Sequence, residues 1–507
     1  MKGLTRIFSI TFQGLEAVLV EVEVDVTQAE NFSLILVGLP SAAVKESKDR
    51  VLAALRNTNH SLGNLFCTVN LAPAGLKKEG TIYDLPIALG LLGSIGKLQN
   101  EKDFSQYLMA GEIGLSGEMR PIKGALAVAI LARELGKKGV LLPKANAAEA
   151  AAVPGVDVIG LRHLNDAVRF FQEPNRYQPE SVTLSSDLFR NVKPAIDFAD
   201  VKGQEQVKRA MEIVAAGGHN IVLFGPPGTG KTMVAKALIG IMPELTVEEA
   251  LETTNIHSIA GLLPIGKNLV TQRPFRSPHH TVSYAGLIGG GVNPRPGEVT
   301  LAHNGILFLD ELPEFSRVAL EVLRQPLEDR KVTISRANGS FTYPTSFICV
   351  AAMNPCPCGY LGHPYKKCKD TQVQIDRYRG KISGPLWDRM DMHVEVPALR
   401  YSDMISGASG DSTDVIRDRV KAARTKQRER FGKNKTNAQM SKQEMKEHAT
   451  LDADCQEVLR QAVDTMGMSA RACDKLVRVG RTIADLSFSP SLKQEHLMEA
   501  LNFRKVD

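Results

Sequence analysis

Residues 225–232 read GPPGTGKT, with the apolar run Ile221–Phe224 before them and the helix-forming MVAKALIGI after. Few strings constrain a fold so tightly, because the chemistry works only where a strand hands the chain to a helix through a glycine-rich turn. Gly225, Gly228 and Gly230 let the backbone turn its N–H groups inward around phosphate oxygens. Lys231 has the reach for the β- and γ-phosphates, and the Thr232 hydroxyl suits Mg²⁺. Pro226, Pro227 and Thr229 complete the loop. A merely structural turn imitates looser motifs, and the strand and helix flanks argue against it here. The chain is expected to bind ATP with Mg²⁺, on a parallel α/β sheet.

Two further apolar runs end in residues suited to that site. GILFLDEL closes on Asp310 and Glu311, one carboxylate for the metal shell and one to polarise an attacking water. FICVAA runs through Met353 to Asn354, an amide placed to orient that water. Positive charge against a γ-phosphate is available from Arg389, in GPLWDRMDMHVEV, and Arg471, in SARACDKLVRVGR. Taken alone, each arginine reads more readily as a surface or salt-bridge residue, and the order of the motifs is what changes that.

Length and composition set the organisation. At roughly 150 residues per domain, 507 residues suggest about three domains. The text divides into an α/β block at 1–171, a polar, proline-interrupted linker at 172–195, an ATPase α/β core at 196–400 and a charged, helix-periodic tail at 401–507. In the first block Val18, Val20, Val22, Val24 and Val26 alternate with Glu21, Glu23 and Asp25, as in a strand with one buried face. Hydrophobic residues at 43% and charged residues at 23% exclude a mainly disordered or coiled-coil chain. No signal peptide is legible, and the longest apolar run, from Leu85, is about half the roughly 20 residues a membrane span needs. With seven cysteines, an odd number, the sequence predicts a reducing, cytoplasmic setting and no membrane partner. A net charge of +6 permits a polyanion without demanding one.

The order P-loop, Asp-Glu, Asn, Arg, then an Arg in a helical tail resembles the AAA+ ATPases. More narrowly, GHNIVLFGPPGTGKT, RPFRSPHHTVSYAGLIGGG, PGEVTLAHNGILFLDELPEF, AAMNPCPCGY, GPLWDRMDMHVEVP and RVGRTIADL are similar to the Mg-chelatase-like YifB/ComM family, over essentially the whole chain. The resemblance implies a multidomain α/β protein. It comprises a Lon-protease-like (ribosomal S5 domain 2-like) α+β domain, an AAA+ P-loop NTPase core with a parallel sheet and a C-terminal helical lid. It also implies Asn354 as sensor 1, Arg471 as sensor 2, and Arg389 as an arginine finger on a neighbour's ATP in a homo-hexameric ring. The implied activity is a helicase of branch-migration type, acting on single-stranded or branched DNA in recombination intermediates during natural transformation. Two other readings stand beside it: a chelatase-type ATPase that remodels a protein or metal-insertion partner, and a Lon-like protease motor. Against the last, the serine and lysine positions of a Lon-type dyad fall on Ile82 and Leu126, which offer neither nucleophile nor base. Thr81 and Lys123 are the nearest substitutes, and the domain reads better as a ring-building or DNA-contacting platform.

Three segments extend the functional reading. In KVTISRANGSFTYP, Asn338-Gly339 predicts a two-residue hairpin turn that pairs Arg336 with Phe341 and Ile334 with Tyr343. Lys331, Arg336 and Phe341 then suit DNA backbone and bases, at the place of the hairpin that DNA translocases of this branch project into their pore; the other reading packs the aromatics as core. The glycine-rich AGLIGGGVNPRPGEV reads as a loop near the same pore, and His279 and His280 before it read as structural or hydrogen-bonding residues. Between 417 and 435 there are nine Lys/Arg against two acidic residues, with Arg417, Lys421, Arg424 and Arg428 on one helix face, either a DNA contact or a solvated surface. Finally Cys356, Cys358 and Cys368 offer three soft zinc ligands, with His363 or Asp370 as the fourth; family members continue with cysteine where this chain has Asp370. C-x-C bites a metal less readily than C-x₂-C, so the sequence favours free thiols over zinc.

Overall fold

The computed structural model describes residues 4–98, 101–183, 189, 196–291, 294–336, 339–398, 410–432 and 434–504. It divides into two compact units, one of residues 1–188 with 246–271 and one of residues 189–245 with 272–507. The sequence places 246–271 inside the ATPase core, whereas its contacts are with the first unit. The expected border at 400/401 lies outside the described residues.

The first unit is built on a seven-stranded mixed sheet in the order Ser33–Val37, Leu65–Ala72, Glu16–Gln28, Thr5–Gln13, Tyr107–Met109, Gly139–Pro143, Asp157–Leu161. In Glu16–Gln28 the alternation has its expected effect: Val20, Val22, Val24 and Val26 are buried, and Asp25 faces out. Against that buried face packs helix Asp84–Ser94, whose residues are all buried. Gly90 sits mid-helix despite its cost of roughly 0.5–1 kcal/mol relative to alanine, because a Cβ there would lie 2.5 Å from Val24 Cγ2. Helix Val247–Ala260 joins this unit through Ser258 Oγ, which accepts from Gly124 N at 2.9 Å, and through Asn255, which donates to Leu15 O at 3.2 Å.

The second unit holds a five-stranded, all-parallel sheet in the order Phe275–Arg276, Ile306–Leu309, Ile348–Met353, Ile221–Phe224, Met392–Glu395. Such sheets are covered on both faces, which is why these strands read as continuous apolar runs. Parallel pairing brings every strand's carboxyl end to one edge, where ligands of α/β proteins bind. The tail is helical, as its periodicity predicts, with Thr413–Phe431, Lys442–His448, Ala453–Met466, Ala470–Leu486 and Gln494–Asn502. It shares one hydrophobic core with the sheet and with helix Glu205–Gly217, through Ile416, Val420, Leu476 and Ile483 among others. No helix among the described residues is long and apolar enough to cross a membrane.

Candidate nucleotide site

The P-loop leaves strand Ile221–Phe224 at Gly225, where a Cβ would stand 2.2 Å from the carbonyl oxygen of Val396, just past the neighbouring strand; only glycine fits. Gly228 and Gly230 have φ of 79° and 88°, and Gly230 caps helix Lys231–Ile241. The helix N-terminus and the loop N–H groups thus face one concavity suited to phosphate. Lys231 Nζ lies inside it, donating to the carbonyls of Gly225 at 2.7 Å and Pro226 at 2.9 Å and reaching Asn354 Oδ1 at 3.3 Å. Burial lowers the Lys231 pKa, with Asp310 opposing the shift. An anionic phosphate would oppose that shift as Asp310 does, so the cradle fits ATP. Thr232 Oγ1 donates to Asp310 Oδ2 at 3.0 Å, a hydroxyl and a carboxylate side by side as a hard Mg²⁺ requires.

Lys231, Thr232, Asp310 and Asn354, predicted from separate strands, are therefore brought together at one sheet edge. Glu311 stands beside them in the left-handed region at φ 51°, with its carboxylate 3.4 Å from Nδ1 of His280. That pairing is invisible in the sequence, since nothing in the spacing of 280 and 311 links them. Arg389 and Arg471 are also brought together, but on Glu328. Arg389 Nη2 and Arg471 Nη2 donate to its two carboxylate oxygens, the latter at 3.0 Å. Arg389 is further held by the carbonyls of Pro385 at 2.6 Å and Arg324 at 3.1 Å, and it lines a cavity with Tyr284, Glu321, Gln325 and Thr333.

The hairpin differs from expectation in register. Arg336 pairs with Gly339, Ile334 with Phe341 and Val332 with Tyr343; Ala337 and Asn338 lie outside the described residues. Gly339, at φ 139°, is the first paired residue of the returning strand and not the second turn residue. Partners move by two positions, so every side chain keeps its predicted face. Val332, Ile334 and Tyr343 are buried, Phe341 is half-buried, and Lys331 and Arg336 are exposed. The Arg336 guanidinium approaches Gly290 of the glycine-rich segment, where a Cβ would stand 3.4 Å from Nη2.

The basic helix face is corrected more sharply. Arg417 Nε donates to Gly240 O at 2.6 Å, Arg424 donates to Ala215 O at 3.1 and 2.9 Å, and Lys421 pairs with Glu244 at 2.7 Å. Arg417 and Arg424 cap the carboxyl ends of two helices, and with Lys421 they dock Thr413–Phe431 onto its own unit, leaving Arg428 as the exposed member of the predicted face. His363 is corrected too: Nδ1 accepts the N–H groups of Tyr365 and Lys366 at 3.1 Å each, so it shapes a turn. In the first unit Ile82 and Leu126 are buried, Thr81 donates to Glu112, and Lys123 lies beside Gly261. The chain carries no Ser-Lys dyad at the Lon-type positions.

Fold and site together define a P-loop nucleotide-binding protein. Models described as magnesium chelatase, subunit ChlI, as subunit ChlI of Mg-chelatase and as the ChlI C-terminal region match residues 197–404, 22–146 and 410–504. The chain is 40% identical to YifB of Escherichia coli (strain K12) over 497 residues, covering 97% of this chain and 96% of that protein. It is 40% identical to the competence protein ComM of Haemophilus influenzae over 507 residues, covering 99% and 98%. Over 171 residues, 31% of this chain and 29% of that protein, it is 30% identical to Lon protease 2 of Bacillus subtilis. The chain belongs to the YifB/ComM family of Mg-chelatase-like AAA+ ATPases.

Proposed function

We propose that the protein is a Mg²⁺-dependent ATPase that works as a homo-hexameric ring and moves single-stranded or branched DNA, in the manner of a branch-migration helicase. In this reading Lys231 and the N–H groups of Gly225–Thr232 hold the ATP phosphates, and Thr232 and Asp310 hold Mg²⁺, which neutralises charge on the phosphates when bound. Glu311 takes a proton from the attacking water and Asn354 orients that water; His280 positions Glu311. Arg389 and Arg471 leave Glu328 for the ATP of a neighbouring copy. Their convergence on one carboxylate, with no hydrogen bond to the P-loop among the described residues, supports joint action in trans.

The observation that carries the DNA reading is the hairpin. It presents exposed Lys331 and Arg336 beside half-buried Phe341, and only Thr345 to Phe347 separate it from the strand Ile348–Met353, which Asn354 follows. A change at the γ-phosphate has little chain to cross before it reaches a group that grips phosphate or stacks on a base. The name competence protein, carried by a relative, fits a DNA substrate taken up in transformation. A second reading, an ATPase that remodels a protein partner, rests on the magnesium chelatase family models. ATP turnover with and without forked DNA separates the two: the DNA motor is stimulated, and its DNA affinity falls steeply with salt. ATPase activity indifferent to DNA at all salt concentrations favours the protein remodeller.

A further inference from the structure

Cys356, Cys358, Cys368 and Asp370 bring one potential ligand atom each to within 4.8 Å of one another. Cys356 Sγ lies 3.5 Å from both other sulfurs, and those two are 3.6 Å apart. A tetrahedral Zn²⁺ with Zn–S of about 2.3 Å separates its sulfur ligands by roughly 3.8 Å, so three thiols at this spacing already form one face of such a site. A 4Fe–4S cluster places each of its cysteines on a different iron and holds them further apart. The backbone supports thiolates as well as thiols: Leu361 donates to the Cys356 sulfur, Tyr360 and Lys369 to that of Cys358, and Asp370 to that of Cys368. Asp370 Oδ2 accepts the Cys358 N–H at 2.8 Å, which aims the carboxylate at the three sulfurs. The expected weakness of C-x-C is relieved by a turn in which Gly359, at φ 83°, donates to Cys356 O at 3.0 Å.

We propose that Cys356, Cys358, Cys368 and Asp370 bind one structural Zn²⁺ through three sulfurs and one oxygen, and that this ion clamps the loop between Asn354 and helix Gln372–Arg379 against the P-loop. Four protein ligands close the coordination sphere, which is the mark of a structural and not a catalytic zinc. The charge left over, three thiolates and a carboxylate against one dication, falls in a basic stretch of the sequence, where Lys366, Lys367 and Lys369 bracket Cys368. The clamp has a clear object. A Cβ on Gly359 would stand 2.7 Å from Pro227 Cδ and 3.8 Å from Asn354 Cγ, so the turn that carries the first two ligands packs against both the P-loop and the amide beside Lys231. At the other end Thr371 caps the helix, and Arg379 reaches back to Pro355 O at 3.2 Å. Binding displaces the thiol protons, and the ion's affinity then contributes to holding the loop folded.

The test is elemental analysis of the full chain purified under reducing conditions without chelator, followed by replacement of the metal with Co²⁺. The proposal expects about one zinc per chain and a Co²⁺ form with sulfur-to-metal charge-transfer bands and intense tetrahedral d–d bands. Asp370→Cys is expected to keep the zinc and shift the Co²⁺ bands as an oxygen ligand becomes sulfur. Cys358→Ser with Cys368→Ser is expected to lose it, at least tenfold in stoichiometry. If that double variant fails to fold, the wild-type stoichiometry and Co²⁺ spectrum still decide. Zinc below a tenth of an equivalent, iron with acid-labile sulfide, a disulfide between two of the three cysteines, or Co²⁺ spectra unmoved by Asp370→Cys would each overturn the assignment.

Discussion

Lys231 holds its ammonium against the carbonyls of Gly225 and Pro226, acceptors it can exchange for phosphate oxygens without leaving the cradle. Lys231→Ala removes the cation that neutralises the phosphates, and nucleotide binding in a fluorescent-ATP titration should fall below detection. Glu311→Gln keeps the shape but cannot take a proton, so binding should survive while turnover falls by about 10² or more. Equal turnover in Glu311→Gln and wild type would remove Glu311 from its role. At this scale most of the site was legible, because the letters of a P-loop and of strands ending in Asp-Glu and Asn each specify local chemistry. What was not legible was pairing across the fold. His280 meets Glu311, Glu328 gathers Arg389 and Arg471, and Asp370 joins the three thiols, all by tertiary contacts that no local pattern announces.

Strand Met392–Glu395 pairs in parallel with the P-loop strand and carries a buried histidine, His393, beside Trp387 with ring centroids 4.7 Å apart. Burial, with Arg504 and Lys475 adding to it, pushes the His393 pKa down from 6.5 to about 3. The folded state thus holds this ring neutral, and the unfolded state binds the proton first. The stability tied to the neutral ring is intact above about pH 6.5 and declines as pH falls toward 3, by about 2 kcal/mol at pH 5. His219 and His496 are shifted the same way and steepen the decline. Urea melts between pH 5 and 8 check this: His393→Leu should flatten the slope, and an unchanged slope would assign the acid sensitivity elsewhere. Elements also show where sequence reading stops. Alternation found the faces of strand Glu16–Gln28 and of the hairpin, because period two survives a two-residue change of partner. It could not find the hairpin's register, since the Asn338-Gly339 preference yielded to a pairing that places Gly339 opposite Arg336. Nor could helical spacing show that Arg417 and Arg424 turn inward to helix carbonyls; the same basic stripe suits a polyanion or the chain's own dipoles.

For the whole molecule, the two arginines on Glu328 are proposed to complete the ATP site of a neighbouring copy only when copies assemble in a ring. Arg389→Ala should lower kcat by about 10³ or more with ATP affinity nearly intact, and mixing it with Lys231→Ala should restore part of the activity, as each supplies what the other lacks. No recovery in mixed assemblies verified by light scattering would count against action in trans. Coupling to DNA adds a second requirement, because ATP turnover without a grip does no work on a strand. Arg336→Ala should leave basal ATPase unchanged while lowering the salt slope of DNA binding by about one ion. The central claim is tested most directly by ATP-dependent unwinding of forked and three-stranded DNA by the wild type, Glu311→Gln and Arg336→Ala. The predicted result is strand displacement by the wild type alone, with Arg336→Ala still hydrolysing ATP. A wild-type protein that hydrolyses ATP yet displaces no strand from either substrate, or an Arg336→Ala variant that unwinds as well as wild type, would contradict it.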